Sequence, residues 1–321
     1  MQRSGALMGV RLGVLAALLL VFACGPVARP PVGPVEPPTE PPGEPSTEPP
    51  TPPGEPSTEP PPPPPAPPEE PPPPPPPSSV HLSLGEPIDQ TPADDHVLVH
   101  DEMVIGYSPY LNAANWVAWR TTPADFGSVP RYSGNFLVDT TLPPAFYRPT
   151  HADYTNSGFD RGHMVRSEER TATAEKNRAT FVLSNILPQT GDLNRGPWYE
   201  LERHVEVLVR SPGAPMDAYM IAGAVWPSSC ATHRARQVGD QCPDIGRSTV
   251  PAQRLAVPEA TFKVVVLVPA GRPVTSGQRQ TIAVLMPNTR GILAAHWQAY
   301  VTTVEELERR TGYDLLSALD P

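Results

Sequence analysis

Five consecutive residues of the chain combine side chains that suit the cleavage of a phosphodiester bond. They read Asp-Arg-Gly-His-Met at positions 160–164. The guanidinium of Arg161 can neutralise a phosphate, and the imidazole of His163, with an unperturbed pKa of about 6.5, can take a proton from water. Gly162 is expected to let the backbone turn tightly between them. The pentapeptide predicts a base and a cation beside a phosphate, but its weight depends on the segments that follow.

Two later segments supply the oxygen donors that a metal ion needs. Residues 181–189 read Phe-Val-Leu-Ser-Asn-Ile-Leu-Pro-Gln, and residues 192–202 read Asp-Leu-Asn-Arg-Gly-Pro-Trp-Tyr-Glu-Leu-Glu. Asn and Glu oxygens suit Mg²⁺, which keeps several of its waters and needs few protein ligands. Asn185, Asn194 and Glu202 are therefore candidate site residues.

The three segments, in this order, resemble the DNA/RNA non-specific endonucleases, a family of ββα-metal nucleases that includes the mitochondrial endonuclease G. The shared patterns are Asp-Arg-Gly-His-Met, Ser-Asn-Ile-x-Pro-Gln and Leu-Asn-x-Gly-x-Trp-x-x-Leu-Glu. Asn-Trp-Val-Ala at 115–118 and the segment 304–312 extend the resemblance over residues 96–319. The resemblance implies an α+β fold, the ββα-metal nuclease fold, with a central, mostly antiparallel sheet flanked by helices.

The resemblance implies a role for each polar side chain around the pentapeptide. His163 matches the general base that activates water, whereas Arg161 and Asn185 match residues that steady the phosphate and the transition state. Arg131 falls where the family has another phosphate-contacting arginine, and Asp160 is expected to orient the site or the histidine. The alternatives are a structural salt bridge for Arg161 and an ordinary turn position for Asn185.

The resemblance also implies a single divalent metal ion. Asn194 matches the side chain that binds the metal directly, and Glu202 matches the residue that holds water molecules on it. Mg²⁺ is the expected ion, and Mn²⁺ or Ca²⁺ also suits an oxygen-rich site. Alternatively, Asn194 caps the helix that begins near Pro197, and Glu202 is a solvated helix residue. One unbroken helix would separate them by about 12 Å, which requires a water-mediated role or a chain bend near Gly196.

One departure from the family pattern lies directly after the pentapeptide. Many members follow its Met position with a small residue and Pro, where this chain has Val165 and Arg166. The added cation either aids phosphate binding or decorates the surface. Six other histidines lack comparable neighbours and are expected to be structural or exposed: His96, His100, His151, His204, His233 and His296.

The activity that the resemblance implies is metal-dependent hydrolysis of DNA and RNA. Contacts to the phosphate backbone give little sequence preference, because the backbone is the same at every position. Two other interpretations remain: a non-catalytic lipoprotein that kept the fold to bind nucleic acid or to serve a structural role, and a phosphodiesterase for smaller substrates.

Apolar periodicity predicts the elements that position these residues. Short strands near a sheet edge are expected at 97–99, 103–107 and 116–119, and central strands at 181–183, 219–225, 262–268 and 282–286. Residues 121–158, rich in Pro, Gly, Ser and Thr, are expected to form a long loop. One helix is expected to begin at Pro197, and another to follow a capping box of Thr303 and Glu306 and to stop at Gly312.

The first residues resemble a bacterial lipoprotein signal. Arg3 and Arg11 precede an apolar run at 14–22 that is too short to span a membrane comfortably, and Cys24 follows it as in a lipobox. The resemblance implies removal of residues 1–23 and lipid attachment to Cys24. The protein is then exported and anchored to a membrane, in the periplasm or at the cell surface. The alternative is an ordinary signal peptide, with Cys24 incidental.

Residues 24–79 are expected to form a disordered, proline-rich tether. Residues 26–77 hold 29 of the 49 prolines, and Pro-Pro-Gly-Glu-Pro-Ser-Thr-Glu-Pro-Pro occurs at 41–50 and again at 52–61. Proline lacks a backbone donor and fixes φ, so extended polyproline II is expected, on the order of 160 Å at full length. The segment would hold the following domain away from a surface. A proline-motif ligand for a partner is the alternative.

Residues 80–321 are numerous enough for one large domain with a substantial core. They carry 26 acidic and 21 basic residues, so nucleic-acid binding must depend on a local site rather than on net charge. Cys230 and Cys242, an isolated pair in an exported protein, are expected to form a disulfide. A metal site at this pair is the alternative, with His233 as a weak third ligand.

Overall fold

The computed structural model of the protein describes residues 79–91, 94–275 and 277–319. The predicted signal peptide, Cys24 and all but the last residue of the predicted tether lie outside these residues. Within the described ranges, no helix is both long enough and apolar enough to cross a membrane.

The described residues form eleven β-strands and four α-helices. The strands are β1 His96–Val99, β2 Val104–Ser108, β3 Ala113–Thr121, β4 Asp160–His163, β5 Ile186–Gln189, β6 Met216–Val225, β7 Asp244–Ile245, β8 Leu255–Ala256, β9 Ala260–Pro269, β10 Gln280–Pro287 and β11 Val301–Thr302. The helices are α1 Ala174–Ala179, α2 Gly191–Arg195, α3 Pro197–Val209 and α4 Val304–Thr311.

Seven strands form one sheet in the order β1-β2-β3-β6-β9-β10-β11, and every neighbouring pair is antiparallel. β6 and β9 lie in its interior with almost every residue buried. Successive side chains of a strand face opposite sides, so a strand covered on both faces carries a continuous apolar run. The predicted α+β fold is confirmed, as are the predicted strands at 97–99, 103–107, 116–119, 219–225, 262–268 and 282–286.

Each face of the sheet packs against its own helix. On one face, Trp198, Leu201 and Val205 of α3 pack with every second side chain of the strands, which are the side chains that point toward α3. On the other face, Leu307 of α4 and Leu315 after it pack against the remaining strand residues. The face covered by α3 also receives the β4–β5 ribbon and α2, and it carries the candidate site.

Both predicted helices form. Pro197 occupies the first turn of α3, where its missing N–H leaves no bond unmade. The Thr303 side chain accepts a bond from the backbone N–H of Glu306 at 3.1 Å, and Gly312 ends α4 with φ of 84°. The Glu306 carboxylate accepts bonds from Arg309 at 2.5 and 2.7 Å, so only the Thr303 half of the predicted capping box is present.

The predicted strand at 181–183 is wrong. Val182 makes a single bridge with Leu137 of the long loop, and the chain then turns through a 3₁₀ helix at Leu183–Asn185 before β5 begins. Phe181 and Leu183 are buried in separate contacts rather than on the faces of a sheet. A short apolar run has no periodicity that distinguishes these two outcomes.

Gly162 has a different role from the expected one. It lies within β4, paired with Leu187 of β5, rather than at a tight turn. A Cβ atom at this position would lie 2.1 Å from Oε1 and 2.7 Å from Cγ of the buried Gln189. Glycine is needed because the Gln189 side chain crosses the backbone closely, beside His163.

The predicted disulfide between Cys230 and Cys242 is confirmed. Both cysteines are buried with Leu111 and Ala256, so the bridge pins the intervening loop to the body of the domain. Closing a loop of this length stabilises the fold by about 3 kcal/mol in the chain-entropy account.

The chain breaks between α2 and α3 at Gly196, which produces the bend anticipated from the spacing of Asn194 and Glu202. A Cβ atom at Gly196 would lie 2.5 Å from the carbonyl oxygen of Asp192 and 2.6 Å from that of Leu293. Both neighbours are backbone atoms and cannot rotate away. The small residue therefore allows two helices to meet at an angle that one continuous helix cannot adopt.

Gly196→Ala is expected to lower the free energy of unfolding by about 1–3 kcal/mol, because the added methyl group overlaps two backbone carbonyls. Gly277→Ala is the matched control, since among the described residues no atom beyond its own chain neighbours lies within 4 Å of its Cβ position. Urea denaturation of both variants measures the difference. Equal stability of the two variants would contradict this account of the helix break.

Candidate active site

A cleft of about 390 Å³ brings together five of the six residues predicted for catalysis and metal binding. They are Arg131, Arg161, His163, Asn194 and Glu202. Arg166, Glu168, Arg195 and Tyr199 complete the lining. Four arginines face two glutamates there, so the cleft is locally cationic although residues 80–321 are acidic overall.

His163 ends β4 with its imidazole buried among aromatic rings. Its ring centroid lies 5.3 Å from that of Phe136 and 5.0 Å from that of Phe181. Burial, reinforced by the positive charge of Arg131, lowers the pKa of His163 to about 3, so the ring is neutral at pH 7. Within the described part of the chain, its Nε2 atom has no hydrogen-bond partner. The ring therefore has one buried nitrogen that makes no hydrogen bond to the described residues.

Helix α3 fixes the backbone of His163. The indole N–H of Trp198 donates to the His163 carbonyl oxygen at 3.3 Å, and helix α3 thereby holds the end of β4. The Arg161 backbone acts against burial and raises the pKa of His163, but burial has the larger effect.

Arg161 and Arg131 supply positive charge on the same side of the cleft. The Arg161 guanidinium lies over the rings of Phe136 and Tyr154, at 5.5 Å each, and its Nη2 donates to the His151 carbonyl at 2.8 Å. The Arg131 side chain is half exposed, lies 4.9 Å from the Phe181 ring, and pairs with Glu168 at 3.2 Å. Aromatic faces thus orient both cations without neutralising Arg161 with a carboxylate.

Asp160 orients Asn194 rather than the histidine. Its Oδ2 accepts a bond from Asn194 Nδ2 at 3.1 Å, and both carboxylate oxygens accept bonds from Arg195, at 2.7 and 2.6 Å. Because Nδ2 of Asn194 makes this bond, the amide oxygen Oδ1 is the atom left for a metal ion. The first residue of β4 therefore fixes a side chain at the end of α2.

Glu202 is buried in the floor of the cleft against Lys263 of β9. Glu202 Oε1 lies 3.5 Å from Lys263 Nζ, and the lysine also lies 4.2 Å from the ring centroid of Trp198. Burial raises the pKa of Glu202 to about 7, although the charges of Lys263 and Arg166 oppose the rise. Sequence reasoning missed Lys263, whose signal was a lone charge inside the apolar run at 262–268.

Arg166 is a buried cross-link and not a surface decoration. Its Nη2 donates to Glu206 of α3 at 2.9 Å, and its Nε donates to Glu168 at 3.3 Å. Only 5% of its side chain is exposed. The cation that departs from the family pattern therefore ties the segment after β4 to α3.

The structure does not bring Asn185 into the cleft. Its side chain is fully buried, accepts a bond from the Val165 N–H at 3.0 Å, and donates to the carbonyls of Val165 and Thr180 at 2.9 and 2.8 Å. These three bonds occupy the amide with backbone groups just after His163. Asn185 is placed to hold the segment after β4 in position.

The cleft offers few side-chain donors to a divalent ion. Within the described ranges, no group of three or more His, Cys, Asp or Glu side chains is arranged to hold a metal. The amide oxygen of Asn194, held by Asp160, and the carboxylate of Glu202 fit a hard ion that retains much of its water shell.

Comparisons with known proteins identify the family. The family model described as DNA/RNA non-specific endonuclease matches residues 83–321. A "Nuclease" of Nostoc sp. (strain PCC 7120 / SAG 25.82 / UTEX 2576) is 36% identical over 76% of this chain and 82% of that protein. Human "Endonuclease G, mitochondrial" is 30% identical over 66% of each chain.

A solved structure shows the same fold. A chain of the EndoG/EndoGI complex, whose crystal structure addresses the mechanism of EndoG inhibition, superposes with a TM-score of 0.60 and 26% identity. The match covers 75% of this chain and 91% of that one. The ribbon β4–β5 followed by α2 and α3 is the ββα unit that carries the cleft. The chain belongs to the DNA/RNA non-specific endonuclease family, and it is a nuclease.

Proposed function

We propose that the protein is an exported, membrane-tethered endonuclease that hydrolyses DNA and RNA with little sequence preference, with His163 as general base and a single Mg²⁺ ion. One observation carries the proposal: a neutral imidazole with an unpartnered Nε2 shares a cleft with Arg161, Arg131 and the oriented amide of Asn194. Family membership favours catalysis over a purely binding or structural role.

His163 takes the proton from the attacking water. Its ring is neutral at pH 7, and among the residues that the structure describes its Nε2 atom has no hydrogen-bond partner, so this atom can accept the proton. Trp198 and Asn185 hold the backbone on either side of the ring, so the base is fixed before substrate arrives. A fixed base avoids the entropic cost of ordering it in the transition state.

Arg161 and Arg131 bind the phosphate and offset the charge that develops on it. Asn194 would hold the ion directly and Glu202 would hold it through water, and Mg²⁺ would stabilise negative charge on the phosphate and the leaving oxygen. Every group in this scheme contacts the sugar-phosphate backbone, the ion or water. The site therefore has no contact through which it would select a base sequence.

His163→Ala is expected to lower the rate of plasmid nicking in Mg²⁺ by about 100- to 10,000-fold, because it removes the proton acceptor. The assay is run on residues 80–321 with DNA and RNA in parallel, with and without EDTA. His233→Ala, an exposed histidine outside the cleft, is the matched control. Undiminished activity of a folded His163→Ala variant, or nicking that persists in EDTA, contradicts the proposal.

Asn194→Ala is expected to weaken divalent-ion binding by at least about tenfold, which is the lower end of the cost of removing even an outer-shell partner of a metal site. Calorimetric titration with Mn²⁺ measures this loss independently of catalysis. Gln280→Ala is the control, because this exposed amide of β10 lies outside the cleft. Unchanged Mn²⁺ affinity in Asn194→Ala excludes this residue as the direct ligand.

The location of the enzyme depends on Cys24, which precedes the proline-rich segment. Cys24→Ser in the full chain is expected to move the protein from the membrane fraction to the soluble fraction and to abolish incorporation of a labelled fatty acid. Stable anchoring by lipid requires the acylated cysteine. Ser46→Ala, within the tether, is the control. Membrane retention of the Cys24→Ser variant overturns the lipid anchor.

A further inference from the structure

Tyr199 stands out among the aromatic residues of the protein. Across residues 79–91, 94–275 and 277–319, it is the only Phe, Tyr or Trp whose side chain is exposed, at 49%. Single exposed apolar side chains are common on protein surfaces and do not by themselves indicate a function. The position of Tyr199 is what matters, because it lines the catalytic cleft in the first turn of α3.

A second depression of about 380 Å³ shares Tyr199 as its wall. It is lined further by residues of α3 and of the segment before β11: Glu200, Arg203, His204, Val207, His296, Trp297 and Gln298. The imidazole of His204 packs 5.0 Å from the Trp297 ring, which closes the floor. The phenol ring of Tyr199 thus separates the cleft that holds the reacting groups from an adjoining space of nucleotide size.

A positively charged side chain lies close to Tyr199 on the surface of α3. Arg203 lies four residues later, on the same face of the helix, and its side chain is 53% exposed. The carboxylates nearby are already paired. Glu206 lies within 2.9 Å of Arg166 and 2.7 Å of Arg210, against 3.5 Å for Arg203, and Glu200 pairs with His296 at 3.4 Å. Of the arginines that pair with Glu206 here, Arg203 is therefore the one farthest from its carboxylate.

We propose that Tyr199 stacks against the nucleobase beside the cleaved phosphate, and that Arg203 contacts the next phosphate as the strand continues into the second depression. The proposal rests on the nuclease function and adds a preferred substrate form to it. A ring can stack only on a base whose face is free, so the site favours single-stranded or locally unpaired segments. Stacking is compatible with low sequence preference, because every base has a π-face.

The test uses a short single-stranded oligonucleotide with one cleavable phosphodiester, compared with the same strand in a duplex. Tyr199→Ala is expected to lower kcat/KM for the single strand by about 5- to 100-fold, mainly through KM, and to affect the duplex less. Tyr199→Phe, which keeps the ring, is expected to stay within twofold of the unmodified protein. Val301→Ala, which removes a 55% exposed side chain outside both concavities, is the control.

Two further comparisons isolate the stacking. Hydrolysis of methyl p-nitrophenyl phosphate, a diester without a nucleobase, is expected to be unchanged in Tyr199→Ala. Arg203→Ala is expected to reduce the salt dependence of oligonucleotide binding, whereas Arg309→Ala, also an exposed arginine paired within its helix, is expected to leave it unchanged.

The outcomes separate this proposal from the function on which it rests. Absence of Mg²⁺-dependent cleavage by the unmodified protein would overturn the nuclease proposal. Normal cleavage with an unaffected Tyr199→Ala variant would overturn only the stacking role. An equal loss on the oligonucleotide and on the small diester, or an equal loss on single strand and duplex, would also overturn it, because either result assigns Tyr199 a structural role.

Discussion

One buried lysine organises the catalytic half of the molecule. Lys263 stands on the interior strand β9 with 1% of its side chain exposed, pairs with Glu202, and lies beneath the ring of Trp198. The same indole donates to the His163 carbonyl, so a single cation links the sheet, the Glu202 carboxylate and the strand end that carries His163. Removing one partner of a buried pair typically costs about 3–5 kcal/mol, because the other charge is left without compensation. Helix α3 is therefore held in one position over the sheet.

The distribution of charge explains how an acidic domain can act on a polyanion. The carboxylates around the cleft are occupied by internal partners: Asp160 by Arg195, Glu206 by Arg166 and Arg210, and Glu168 by Arg131 and Arg166. Arg161 instead contacts an aromatic ring and a backbone carbonyl, which orient its guanidinium. Among the described residues, no carboxylate forms an ion pair with it. Local pairing, rather than net charge, sets the field that a phosphate meets.

Local signals in the chain predicted much of the fold. Short apolar runs located six strands, because a strand that is buried on both faces of the sheet carries apolar residues at successive positions. Pro197 and the Thr303 cap located two helices, since these residues act on the backbone within one turn. The run at 181–183 failed because no period distinguishes a short buried strand from a turn. That segment is shaped by Asn185, whose bonds reach backbone twenty residues earlier in the chain.

The sequence by itself determined the family, because the types and order of residues in three separated motifs are sufficient for that comparison. The same motifs supplied the candidate base, cations and metal ligands. Only the tertiary structure decided how these groups work together. In the folded protein, Asp160 bonds to Asn194, and Asn185 lies outside the cleft. Arg166 is buried between α3 and the segment after β4, and Lys263 pairs with Glu202. Each of these contacts joins residues that are distant in the chain, so orientation and burial are absent from any local pattern.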